Sequence, residues 1–199
     1  VMPKFMARYP ELTVELALND RQVDLMEEGF DVSLRISKLT DSSLIARQLA
    51  PVRRPIVGAP SYFEKFGVPR HPRDLADHNF VLYSLKPKPE QFEFRDPGGK
   101  VFTVDVRGNY LCNNADAMQG IIKAGQALCL APMFLCAEAL RRGDLVSVLD
   151  EWETEPLTLH VIYPHTQHLS AKVRAFVDFT VEEFGPGKAP WLLDVAAGK

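Results

Sequence analysis

Thr13-Val14-Glu15-Leu16-Ala17-Leu18-Asn19-Asp20 opens the stretch that decides the fold, and Asp31-Val32-Ser33-Leu34-Arg35-Ile36 closes it. Val14, Leu16 and Leu18 alternate with a second set of residues, and Val32, Leu34 and Ile36 alternate with Ser33 and Arg35. Alternation with period two marks a half-buried strand. Between the two pieces, Asp20 suits a helix N-cap, Val23, Leu25 and Met26 supply an apolar side, and Gly29 supplies the stop. Strand, helix and strand in so short a span predict a parallel pair joined by a right-handed crossover, the unit of an α/β protein.

Working outward, Met2, Phe5, Met6 and Tyr9 fall at helical spacing before Pro10. The opening thus reads as the interior or end of a helix in a chain cut from something longer. Residues 44–58 read as extended, irregular where Pro51 and Pro55 fall. Ser61 is the expected cap of a short helix over 62–66, and a helical turn is expected at Pro72. Asn79 to Ser84 reads as a strand. Phe92 and Phe94 alternate on one side of Asp96-Pro97-Gly98-Gly99, and Val101 to Val106 alternate on the other, which predicts a hairpin. Asn113 or Asn114 caps a helix whose stripe is Ala115, Met118, Ile122 and Gly125. A strand at 127–131 precedes a helix from Pro132 to the Arg141-Arg142-Gly143 stop. Strands at 145–149 and 157–163 follow. The last helix, about 170–184, presents Val173, Phe176, Val177, Val181 and Phe184. The tail from Gly187 reads as loosely held. Residues 1–60 with 164–199 read as one lobe, and 61–163 as a second lobe inserted into it.

Bulk properties exclude several functions. The 199 residues are 46% hydrophobic and 25% charged, an ordinary globular mix. A net charge of -3 opposes direct nucleic-acid binding, which usually needs a basic surplus. Cys112, Cys129 and Cys136 make a poor disulfide framework, which favours a reducing, cytoplasmic compartment. Their gaps do not suit zinc. The sequence shows no membrane span and no signal peptide. Gly98-Gly99-Lys100 lacks the Ser or Thr and the helix of a phosphate loop, Ser42, Ser61 and Ser84 lack a nucleophile-elbow context, and His165 and His168 lack an acidic partner. The expectation is therefore no enzyme, no cofactor and no metal.

Several runs then carry a resemblance. They are Phe5-Met6-Ala7-Arg8-Tyr9-Pro10-Glu11-Leu12, Val23-Asp24-Leu25, Glu28-Gly29-Phe30-Asp31, Leu34-Arg35-Ile36, Asp41-Ser42-Ser43-Leu44 and Ala46-Arg47. Pro72-Arg73-Asp74-Leu75 with His78, Ala124-Gly125 and Leu130-Ala131-Pro132 continue the order. Together they resemble the effector-binding domain of LysR-type transcriptional regulators over about residues 3–184. The resemblance implies a type 2 periplasmic-binding-protein-like fold, with two α/β lobes joined near 58–60 and 163–165 and a small-molecule cleft between them. It also implies a winged helix-turn-helix N-terminal to this chain that binds DNA, a linker helix and a first strand of lobe one outside it, and a homodimer or homotetramer. Residues 2–9 and 21–28 are the surfaces the resemblance offers for a dimer. An exported solute-binding protein of the same fold is the alternative, and the cysteines and the quoted runs count against it.

Effector contacts are expected at strand carboxyl ends and helix N-termini, where N–H groups and partial positive charge suit a carboxylate. Asn113, Asn114 and Ala115 stand at one such point, where capping and ligand contact draw on the same groups. Arg35 is placed to clamp a carboxylate with two hydrogen bonds, or else is a surface arginine on a half-exposed strand. It motivates the expectation of an anionic effector. Asn19 and Ser37, Tyr83 and Ser84, and Leu130 and Pro132 complete the candidate set as residues at strand ends.

Overall fold

A computed structural model describes residues 1–21, 24–37, 44–155, 157–165 and 169–192. The described parts of Val1–Pro51 and Leu157–Ala197 form one compact unit, and those of Val52–Pro156 form the other. The crossings thus fall at 51–52 and 156–157, not near 58–60 and 163–165. Strand pairing is the reason. β3 (Ile56–Gly58) is sandwiched antiparallel between β8 (Cys129–Leu130) and β9 (Val146–Val148), so it belongs to the second unit. β11 (Leu157–Pro164) pairs with β1 (Ser33–Ser37), so it belongs to the first.

The first unit has a three-stranded sheet of order β1-β11-β2, with β2 spanning Leu44–Val52. β1 pairs antiparallel with β11, not in parallel with the strand expected at 13–18: Ser33 lies opposite Ile162, Arg35 opposite His160 and Ser37 opposite Thr158. Residues 13–18 form no strand. Their alternation is real, but no described strand bonds to them, and Leu16 and Leu18 are 60% and 87% exposed. An extended segment without cross-strand partners is not held as a strand. The helix expected after Asp20 shrinks to a turn over 25–29, and Val23 lies outside the described residues. Asp24, not Asp20, starts this turn, its Oδ1 accepting from the Met26 and Glu27 N–H groups at 2.8 and 3.2 Å.

Helix α1 (Met2–Arg8) buries Phe5 against Phe176 and Phe179 of α5 (Ala171–Phe184), with ring centroids 5.1 Å apart in both pairs. Lys4–Glu183 and Arg8–Glu182 ion pairs flank this contact. The buried face of α5 is Val173, Val177, Phe179, Thr180 and Phe184, so Phe176 and Val181 sit at its margin. Thr180 enters the stripe because its hydroxyl donates to the Val177 carbonyl at 2.8 Å. The expected loose tail is anchored as far as Trp191, whose Nε1 donates to the Pro51 carbonyl at 3.0 Å while its ring lies 5.7 Å from that of Phe184.

The second unit is built on a core that includes Tyr62, Leu75, Phe80, Phe92, Phe94 and Leu128. The hairpin forms as expected: β5 (Gln91–Arg95) pairs antiparallel with β6 (Val101–Asp105), and Phe92 and Phe94 point inward. Its turn closes by Gly99 N–H donating to the Asp96 carbonyl at 2.8 Å, with Gly99 at φ +86. Short β10 (Glu153–Thr154) adds to β5. Helix α2 (Pro60–Phe66) is capped by Ala59, so Ser61 sits inside its first turn instead of capping it. β4 (Asn79–Tyr83) and β7 (Arg107–Cys112) run parallel, with an irregularity between Asn79 and Val81. Gly108 faces that irregularity, where a Cβ would stand 2.1 Å from the Phe80 carbonyl oxygen. α3 (Ala115–Lys123) and α4 (Met133–Arg142) form as read, α4 ending on Gly143 in the left-handed region.

Candidate functional site

Three chain segments end side by side in the second unit. β4 pairs parallel with β7, bringing Tyr83 opposite Cys112. A parallel bridge joins Phe80 to Leu128 on the other side of β4, just ahead of β8. Tyr83 and Ser84, Cys112 to Asn114, and Leu130 to Pro132 therefore lie at one carboxyl edge, where such folds place ligands. The Ser84 N–H donates to the Cys112 carbonyl at 2.9 Å and fixes this edge.

Helix α3 starts at this edge. Asn114 is its cap, in extended backbone, with its Oδ1 accepting from the Ala117 N–H at 3.1 Å. Asn113 precedes the cap and is exposed, while Ala115 begins the helix half-buried. The partial positive charge of this helix start is opposed locally by Asp116 in the first turn. The start of α4 offers less to an anion. Pro132 has no N–H, the Ala131 N–H donates to the Pro55 carbonyl at 3.1 Å, and the Met133 N–H donates to the Arg53 carbonyl at 2.9 Å. Leu130 and Pro132 are thus apolar contacts at most.

The first-unit candidates divide. Arg35 and Ser37 share one face of β1, as alternation requires, with His160 and Thr158 opposite them on β11. Arg35 is half-buried, and its Nε donates to Ser33 Oγ at 3.4 Å. Asn19 is not on that strand: it lies in the exposed irregular segment, with its Oδ1 accepting from the Arg21 N–H at 2.9 Å.

Sequence reading missed His160. It is buried at 2% exposure, its Nδ1 has no hydrogen-bond partner among the described residues, and burial pushes its pKa below the usual histidine value against an opposing contact with the Thr158 backbone. Its position between Leu159 and Val161 in a strand was the available signal. His78 is also buried, its Nδ1 lying 3.3 Å from the Tyr62 hydroxyl, which accepts from the Asn79 N–H at 2.9 Å. Among the described residues no group of three His, Cys, Asp or Glu side chains is arranged to hold a metal. No described helix is long and apolar enough to cross a membrane. The arrangement is a binding scaffold of α/β type: polar groups stand at strand ends.

Comparison with known proteins names that class. The family model described as the LysR substrate binding domain matches residues 1–185. An uncharacterised HTH-type transcriptional regulator of Haemophilus influenzae is 33% identical over 175 residues, covering 86% of this chain and 59% of that protein. The regulatory domain of CrgA, a LysR-type regulator from Neisseria meningitidis, superposes with a TM-score of 0.81 at 25% identity, over 92% of this chain and 90% of that one. The full-length Vibrio cholerae virulence activator AphB gives 0.79 at 28% identity, over 92% of this chain and 62% of that one. This chain belongs to the LysR substrate-binding-domain family, the effector-binding domains of LysR-type transcriptional regulators, which share the type 2 periplasmic-binding-protein-like fold and are not enzymes. It spans 57–60% of the length of three curated relatives that it matches. The relatives are transcriptional regulators, which favours this reading over an exported solute-binding protein.

Proposed function

We propose that this domain senses a small anionic molecule on behalf of a cytoplasmic regulator that binds DNA through a helix-turn-helix domain preceding this chain and assembles as a dimer or tetramer. The match of the family model over residues 1–185 carries the regulatory part of the reading. The start of α3 supports the anionic part: a capped helix N-terminus stands at the shared edge of three segments. Arg35 is the candidate guanidinium in the first unit, and Ser37 shares its face. Tyr83, Ser84, Asn113 and Ala115 are the candidate contacts in the second. Binding shifts the population toward whichever arrangement holds the effector more tightly.

A thermal-shift panel of aliphatic and aromatic carboxylates, followed by calorimetry on each hit, tests the proposal. A stabilising carboxylate whose affinity falls in Arg35→Ala supports it. Unchanged affinity in Arg35→Ala removes the arginine assignment, and a panel in which only neutral compounds bind removes the anionic reading. Sequencing the gene upstream of the Val1 codon tests the DNA-binding part, since a signal peptide there in place of a helix-turn-helix overturns it.

A further inference from the structure

Cys129 of β8, Cys136 of α4 and Met118 of α3 line one pocket of the second unit. The rest of the lining is apolar, Val57, Ile122 and Leu145 among it, apart from the Gln119 amide. The free space is about 20 Å³, room for one small occupant. Water is a poor candidate, because it needs two to four polar partners and this wall offers carbon and sulfur.

The sulfurs are unusual in company and in charge. Burial pushes both thiols up to about 12, and Arg54 and Arg53, each paired with a carboxylate, oppose this only in small part. The Cys136 sulfur has only long contacts, 3.5 Å to the Pro132 carbonyl and 3.7 Å to that of Met133. Two neutral thiols and a thioether therefore line this pocket. Thiolate and thioether ligands select soft ions such as copper(I). Zinc takes four ligands in structural sites, and the wall supplies three sulfurs.

We propose that this pocket binds one soft monovalent metal ion, copper(I) or its analogue silver(I), through the sulfurs of Cys129, Cys136 and Met118. The ion replaces the two thiol protons, which leave to solvent: M⁺ + 2 RSH gives [M(SR)₂]⁻ + 2 H⁺, with no change of oxidation state. Two metal–sulfur bonds form as two S–H bonds break, and the thioether adds a third, neutral donor. The complex carries one negative charge, screened only in part by Arg54 and Arg53, whose own charges are shared with Glu155 and Asp150. A metal ion supplies the charge that burial denies the free thiolates. None of the three sulfur ligands belongs to the carboxylate reading, although Ala115 and Pro132 also line this pocket.

The test is anaerobic titration of the reduced protein with copper(I) against a colorimetric copper(I) chelator, with proton release followed in weak buffer. Wild type and Cys112→Ser are expected to withdraw one equivalent and to release two protons per ion. Met118→Leu, which keeps the volume, is expected to bind about tenfold more weakly. The Cys129→Ala/Cys136→Ala double variant is expected to withdraw none, with its fold checked by circular dichroism. Failure of wild type to compete with the chelator overturns the proposal. So does a full equivalent retained by the double variant, or unchanged affinity in Met118→Leu.

Discussion

Replacing Tyr62 by Phe removes one oxygen from the centre of the second unit and leaves the ring in place. That oxygen accepts the Asn79 N–H at 2.9 Å and meets His78 Nδ1 at 3.3 Å, and Tyr62 is 1% exposed. A buried donor left without a partner costs about 1–3 kcal/mol, and the loss of the second, longer contact adds up to about 1. Tyr62→Phe should therefore destabilise the second unit by about 1–4 kcal/mol. The chain offers a clean probe, because Trp152 lies in the second unit and Trp191 in the first. In a Trp191→Phe background, Trp152 fluorescence during urea unfolding reports the second unit alone. A change below about 0.5 kcal/mol, the range of an ordinary surface substitution, would refute the reasoning.

Burial holds His78 and His160 below the usual histidine pKa, so both favour the neutral form when folded. The stability they contribute is present above the unfolded value near 6.5 and is lost as pH falls through the folded values. Urea midpoints should therefore decline on acidification below about pH 6.5, and a His160→Gln variant should show a shallower decline. Cys129 and Cys136, both buried and raised to about 12, should resist a thiol reagent at pH 7 until the protein unfolds, whereas partly exposed Cys112 reacts in the native state. Asn114→Ala should cost about 1 kcal/mol through loss of the α3 cap, and Asn114→Asp little, both read from thermal melts. Gly108→Ala should lower the melting temperature more than any of these, because its Cβ meets the backbone oxygen of Phe80, not a side chain that can turn away.

Features decided within a few residues were legible in the sequence. The hairpin around Asp96 to Gly99, the Asn114 cap and the Gly143 stop each depend on local backbone chemistry. Pairing between distant segments was not legible. Alternation in 33–37 fixes which side chains share a face, yet it is silent on the partner, and Ser33 pairs with Ile162. The same alternation in 13–18 has no described partner and yields no strand. The candidate site follows this division. The cap and the strand ends at Tyr83 and Leu130 were readable, whereas the burial of His160 opposite Arg35 and the convergence of Cys129, Cys136 and Met118 depend on contacts across elements.

The central place of β11 in its sheet has a consequence for synthesis on the ribosome. Both β1 and β2 bond to β11, and β11 begins at Leu157. The unit spanning Val52–Pro156 is continuous and is synthesised before that strand exists. At about 5–20 residues per second, the N-terminal strands wait on the order of 5–20 s for their middle neighbour. During that interval β1 and β2 lack their shared neighbour, and the exposed Leu16, Leu18 and Leu34 are apolar side chains that a chaperone would meet.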